Sequence, residues 1–327
     1  MGQFAGSSSA VFALLAMGVF GAPAPAADAW PSRPVKMIVS FAPGGTTDIL
    51  GRIVAEKLTE SLGQPFIVEN RAGAGGIVGA QAVAKAPPDG YTLLATGIGP
   101  LVVVPAMNPN APYDPIRDFT HIALFGGPPA VLAVPRDLPL KDLNAFVAFA
   151  KTRPGALKYG SPGVGSHGQL IFEMLKQEAG LSVIHVPYRG SGQVVTDLMG
   201  GHIPAASTTL TGVAEQIKAS TIRGLAVSSA HRLPDFPDIP TYAEQGYPKL
   251  VSNIWFCLVG PARLPENIVK RLNAEVIRAF QQPDVRERLG RDAIDPEPLD
   301  AAAFTAFVKS EIKRWTPIIK AANMESE

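Results

Sequence analysis

A chain of 327 residues, 46% of them apolar and only 17% charged, has the length for two domains of ordinary size and the apolar content for sizeable cores. Its net charge of +1, with no basic cluster, argues against a nucleic-acid partner, and its single cysteine, Cys257, excludes an intrachain disulfide or a cysteine metal site. Glycine (32) and proline (31) are abundant but spread between periodic segments, as many tight strand–helix turns require.

Residues 11–20 form an apolar run, followed by small residues and prolines through Ala29. The run is too short to span a bilayer. Ala26, Ala27 and Ala29 fit the small-residue rule for an export signal, although no Lys or Arg precedes the run. We expect a signal peptide over 1–29 and an exported, periplasmic protein.

Residues 35–41 are β-branched and apolar and predict the first strand. Ala42-Pro43-Gly44-Gly45-Thr46-Thr47-Asp48 follows, a glycine turn running into a helix with Leu50, Val54, Leu58 and Leu62 at spacing four. Thr46 or Thr47 is the expected N-cap, Asp48 suits the positive helix start, and Gly63 closes the helix. A strand over 65–68, a flexible turn over 71–76, an Ala-rich helix ending near Ala84 and a strand over 91–95 complete a β-α-β-α-β unit. That order predicts a parallel sheet whose loops gather at the strands' C-terminal ends. Thr96-Gly97-Ile98-Gly99 is a second glycine loop.

Two apolar runs within 119–134 are interrupted by Gly126-Gly127-Pro128-Pro129, and the pattern then restarts. A helix over 141–152 and a strand over 157–161 lead to the glycine loop 162–168. A helix over 169–178, a strand over 183–186, the loop 187–192, a helix ending at Gly200-Gly201 and a strand over 203–207 come next. Thr208-Thr209 precede a helix ending near Ala219, and 222–228 is another strand. Residues 251–259 are apolar again, with Cys257 expected as a buried thiol, and helices over 265–280, 283–289 and 300–322 finish the chain. We infer an α/β protein of two lobes, 30–128 with 254–327 and 129–253, facing each other across a cleft and joined by two crossings.

A strand, a glycine loop and a helix N-terminus leave backbone N–H groups unpaired beside the positive end of the helix dipole, which suits an anion. In the first lobe, Ala42, Pro43, Gly44 and Gly45 offer backbone, and Thr46 and Thr47 offer hydroxyls. Asp48 reads as the organiser of the helix start, or as the partner of a ligand amine. Thr96, Gly97 and Ile98 add a further loop. In the second lobe the candidates are Ser161, Gly165, Ser166, His167, Tyr188, Arg189 and Thr208. Tyr188 has two readings, stacking on an aromatic ring or packing beneath its loop. Arg189 has three: meeting a distal carboxylate, bridging the lobes or facing solvent. His121, His185, His202 and His231 follow no metal spacing, so no metal and no cofactor is expected.

Several motifs in this order resemble the Bug-type receptors, the solute-binding proteins of tripartite tricarboxylate transporters. They are Trp30-Pro31-Ser32-Arg33-Pro34-Val35, Pro43-Gly44-Gly45-x-x-Asp48, Glu69-Asn70-Arg71-Ala72-Gly73-Ala74-Gly75-Gly76, and 86–94 with its Pro-Pro-Asp-Gly-Tyr. Gly160-Ser161-x-Gly163-x-Gly165-Ser166, His185-Val186-Pro187-Tyr188-Arg189-Gly190, Asp197-Leu198-Met199-Gly200-Gly201 and 240–248 complete the set. The resemblance covers the chain from about Trp30 to the last helix. It implies a type II periplasmic-binding-protein-like fold, each lobe a mostly parallel sheet flanked by helices, closing on one small organic anion. It further implies carboxylate ligands held by loop backbone, hydroxyls and bridging water, membrane permease subunits as partners, and a monomeric, non-catalytic receptor. One departure is visible: the family usually has His-Leu where Gln169-Leu170 stands here, with a histidine at His167 instead.

Other functions fit less well. Gly163-Val164-Gly165-Ser166-His167-Gly168 matches a dinucleotide fingerprint, but the strand over 183–186 ends without the acid that a ribose needs. A serine hydrolase needs Gly-x-Ser-x-Gly, and Val164 and Tyr159 stand where the first glycine would precede Ser166 and Ser161. A receptor that feeds a sensor kinase instead of a transporter has the same sequence features.

Overall fold

A computed structural model describes residues 1–2, 30–108, 110–188, 190–291, 294, 296 and 299–324. The expected signal peptide, apart from its first two residues, and Arg189 lie outside the described residues. The chain begins with β1 (Val35–Val39), α1 (Thr46–Leu62), β2 (Phe66–Asn70), α2 (Ile77–Ala84) and β3 (Thr92–Gly97). A π-helical turn (Gly99–Val103) and α3 (Val104–Met107) lead to β4 (Phe119–Gly126). Next come β5 (Ala130–Pro135), α4 (Leu143–Lys151), β6 (Lys158–Ser161), α5 (His167–Ala179), β7 (Ile184–Pro187), α6 (Ser191–Met199), β8 (Ala206–Thr209), α7 (Ala214–Lys218) and β9 (Ile222–Val227). The chain ends with β10 (Phe256–Pro261), α8 (Glu266–Gln281), α9 (Pro283–Arg291) and α10 (Ala301–Ala321).

Local chemistry accounts for the boundaries. The spacing-four stripe of α1 is buried at Leu50, Val54 and Leu58, and the helix ends where Gly63 turns left-handed and donates to Thr59 O at 3.0 Å. The strand expected over 203–207 runs over Ala206–Thr209 instead, because His202 N–H folds back to Asp197 O at 2.9 Å and closes the end of α6.

The two five-stranded sheets have orders β2-β1-β3-β10-β4 and β7-β6-β8-β5-β9. In each, one strand is antiparallel to both its neighbours, β10 in the first and β5 in the second, so the other four point one way. The reversed strands are the ones by which the chain enters each lobe: β5 follows β4 across, and β10 brings the chain back. Forward strands of both sheets therefore end toward the crossings. Helices α1 and α8 cover one face of the first sheet, while α2 and α10 cover the other. In the second sheet α4 and α5 lie on one face and α6 and α7 on the other. Cys257 is buried and free, as its apolar surroundings predicted.

The crossings form a two-stranded ribbon. Pro129 pairs with Asn253, and Ile254 N–H donates to Pro128 O at 3.2 Å. Ser228 Oγ holds both sides, accepting from Ala130 N–H at 2.8 Å and donating to Ser252 O. The last helix, α10, touches both lobes: Glu311 accepts from the indole N–H of Trp255 and of Trp315, and Arg314 donates to Lys249 O and Val251 O.

Candidate functional site

A cleft of about 1000 Å³ lies between the lobes where the forward strands end. The first residues of four helices line it: Thr46 and Thr47 of α1, Ile77 of α2, His167 and Gly168 of α5, and Ser191 of α6. Helix starts present unpaired N–H groups and partial positive charge. No Asp, Glu, Lys or Arg occurs among the described residues of the lining. Backbone amides and hydroxyls thus set the polarity of the cleft, an arrangement that accepts an anion without a fixed counter-charge.

In the first lobe the N-cap of α1 is Gly45, with no side-chain cap, so Thr46 and Thr47 stand inside the helix instead of capping it. Asp48 takes over the organising task. Its Oδ2 accepts from Gly44 N–H at 2.9 Å and Arg52 Nε at 3.0 Å, and its Oδ1 accepts from Asn70 Nδ2 at 2.8 Å. Asn70 Nδ2 also donates to Phe41 O at 3.0 Å, so both ends of the loop are tied. Burial raises the Asp48 pKa, but hydrogen bonds from Arg52, Gly44 and Asn70 outweigh it and hold the carboxyl below its ordinary value. Asp48 is buried and does not line the cleft; Ala42, Pro43 and Gly44 are exposed and also lie off the lining. Thr96 is fully buried and accepts from Ser40 Oγ at 2.9 Å, so the loop after β3 reaches the cleft through Gly97, Ile98 and Gly99.

In the second lobe Gly165, Ser166 and His167 line the cleft. Ser166 caps α5, its Oγ accepting from Gln169 N–H at 3.3 Å. The helix can start here because Gly168 has no side chain: a Cβ would stand 2.1 Å from Ser207 O on β8. Ser161 lies beneath the loop, its Oγ 2.7 Å from His185 Nε2 and 3.2 Å from Ser166 Oγ. Gln169 Oε1 accepts from Gly165 N–H at 2.8 Å, and its Nε2 is 3.1 Å from His185 Nδ1. Burial, with the Lys176 charge, lowers the His185 pKa to about 4 and keeps the ring neutral. The His167 ring runs to the crossings, with Nε2 3.3 Å from Ser252 Oγ and an edge contact to Trp315, and burial with Arg314 lowers its pKa to about 3.

Tyr188 lines the cleft and donates its hydroxyl to Asp197 Oδ2 at 2.6 Å. Thr208 is buried against Ser191 Oγ at 2.9 Å, so Ser191 and Thr209 form the surface there. Sequence reasoning missed the wall of Val103, Val104 and Met107, which meets the second lobe where a Cβ on Gly165 would stand 2.9 Å from Val103 Cγ1. Residues 99–107 carry neither helical nor strand periodicity, and their one signal is their place just after a predicted cleft loop. The Gln169–His185 pair was missed because its members come from different elements.

Residues 50–324 match the family described as Tripartite tricarboxylate transporter family receptor. The Protein BugT of Bordetella pertussis is 37% identical over 313 residues, covering 94% of this chain and 96% of that one. An adipate-bound structure of an R. palustris protein has 33% identity and a TM-score of 0.80, covering 90% of this chain and 99% of its own. The Rhodopseudomonas palustris protein MatC with bound malate has 32% identity and a TM-score of 0.76, covering 89% and 100%.

Proposed function

Because the chain belongs to the tripartite tricarboxylate transporter family of receptors, we propose that it captures a small organic carboxylate between its lobes and delivers it to membrane permease subunits. The observation that carries this reading is the convergence of four helix starts, from both lobes, on a cleft without a charged residue among its described lining. The adipate and malate held by two relatives support the ligand class. In this reading 1–29 directs export to the periplasm, the receptor acts as a monomer, and residues 30–128 with 254–327 close on 129–253 about the crossing ribbon. Gly45, Thr46, Thr47, Gly165 and Ser166 hold the carboxylate, and Tyr188 flanks the body of the ligand.

The energies suffice. A charge-assisted hydrogen bond contributes roughly 1.5–3 kcal/mol, and a helix N-terminus adds about 0.3–1. Micromolar affinity needs about 8 kcal/mol, which several such bonds from two lobes reach after ordering costs. In this reading the protein acts as a receptor without catalysis, as a member of a family of transporter receptors.

A thermal-shift screen of mono-, di- and tricarboxylates tests the proposal. Saturation at about a hundred times Kd adds roughly 2.7 kcal/mol to stability, which raises the melting temperature measurably. A shift with NADP and none with any organic anion would overturn the reading.

A further inference from the structure

The side chains beneath the second-lobe loop form a hydrogen-bond chain with one allowed direction. A backbone N–H can only donate, so the 2.8 Å contact from Gly165 N fixes which end of the Gln169 amide is oxygen. Gln169 Nε2–H therefore points at His185 Nδ1, 3.1 Å away, and that nitrogen must be the acceptor. In a neutral imidazole the proton then sits on Nε2, which donates to Ser161 Oγ at 2.7 Å. Ser161 turns its own proton to Gly163 O at 3.1 Å. Its remaining lone pair is contested by Gly163 N–H at 3.3 Å and by Ser166 Oγ–H at 3.2 Å.

We propose that Gln169 is the positioning residue of this loop: by fixing His185 in the Nε2–H tautomer it leaves Ser161 a single lone pair, which Gly163 N–H and Ser166 Oγ–H must share, so that the Ser166 hydroxyl proton is weakly held and turns to a bound carboxylate. Ser166 lines the cleft; Gln169 acts through His185 and Ser161 beneath it. A second consequence concerns Ser161 itself. Its histidine partner presents a proton where a nucleophile would need a lone pair, so the pair has no general base. The ligand half of this inference rests on the carboxylate-receptor reading above, and the tautomer half does not.

Gln169→Glu reverses the polarity. A carboxylate still accepts from Gly165 N–H, but it now faces His185 Nδ1 with a lone pair and draws the proton to that nitrogen. Nε2 becomes an acceptor, Ser161 donates to it, and both Ser161 lone pairs open to Gly163 N–H and Ser166 Oγ–H. The Ser166 proton is thereby withdrawn from the cleft. Gln169→Met removes both bonds without adding charge and leaves His185 as a mixture of tautomers.

The experiment is long-range proton–nitrogen NMR of the ligand-free full chain at pH 8, with the His185 signals assigned by their loss in His185→Gln. The expected result is Nε2–H in the unsubstituted protein, Nδ1–H in Gln169→Glu and an average of the two in Gln169→Met. An Nδ1–H or averaged signal in the unsubstituted protein overturns the proposal. Adipate titrations of a double-mutant cycle add the second readout. Ser166→Ala is expected to weaken adipate roughly tenfold in the unsubstituted background and less than about twofold in Gln169→Glu. An equal loss in both backgrounds means that Gln169→Glu acts only through its charge and overturns the proposal. If adipate fails to bind the unsubstituted chain, that counts against the receptor reading, while the tautomer, read without ligand, still decides the role of Gln169.

Discussion

At the scale of single residues, Asp48 does for the first lobe what Gln169 does for the second: it spends its hydrogen bonds on the loop. Its three donors come from Gly44, Arg52 and Asn70, so removing the carboxylate frees the turn on both sides. The Arg52 side chain is 51% exposed, so that ion pair adds little beyond its hydrogen bond. Asp48→Ala is expected to cost about 1–3 kcal/mol in urea unfolding, with weaker carboxylate binding because the Gly44-Gly45 turn loses its anchor. The contribution depends on charge: the folded pKa is depressed, so it is present above the unfolded value of 3.8 and lost as pH falls through the lower folded value. An Asp48→Ala variant as stable as its parent would show that the turn holds its shape by backbone preference alone.

At the scale of elements, the ribbon of two crossings carries the chain from one lobe to the other and back. Gly127 lies on it where a Cβ would stand 2.3 Å from Ile254 O, a backbone atom that cannot swing aside. Gly127→Ala must push the two crossing strands apart, against the bond from Ile254 N–H to Pro128 O. The expected cost is about 1–3 kcal/mol, as for other overpacked sites, read as a lower midpoint in chemical denaturation. Closure about the ribbon, as proposed, also predicts a smaller compaction in small-angle scattering on adding carboxylate. Unchanged stability and compaction would place the bending elsewhere, with α10 the next element to touch both lobes.

At the scale of the molecule, stability should depend on pH through histidines buried in their neutral form. Burial is the main cause for all three: His121 falls to about 4, His167 to about 3 and His185 to about 4, against an ordinary value of 6.5. The unfolded chain therefore binds more protons than the folded one between 6.5 and these lower values. Stability is full above about pH 6.5 and falls as the medium is acidified, with a limiting slope of about 1.4 kcal/mol per pH unit for each histidine. Denaturation midpoints measured from pH 7 to pH 4.5 should fall accordingly, and His167→Asn should remove one proton's share of the slope. A flat profile would mean that these rings find water or a partner on protonation.

The sequence by itself determined the alternation of strands and helices, the restart of the pattern after Gly126-Gly127-Pro128-Pro129, and the glycine loops that open helices. These are legible because hydrophobic periodicity and turn chemistry act between near neighbours along the chain. Boundaries moved by a few residues where a helix end closed with its own backbone bond, as before β8. Which loop residues face the cleft was decided only in three dimensions. Thr96, Ser161 and Thr208 look in sequence like the hydroxyl donors beside them, yet each is buried against a partner from a distant element: Ser40, His185 and Ser191. The wall of Val103, Val104 and Met107 and the direction of the Gln169–His185–Ser161 chain likewise depend on contacts across the fold. A hydroxyl's role follows from which donors and acceptors surround it, and that information is absent from the order of residues until the two sheets are assembled.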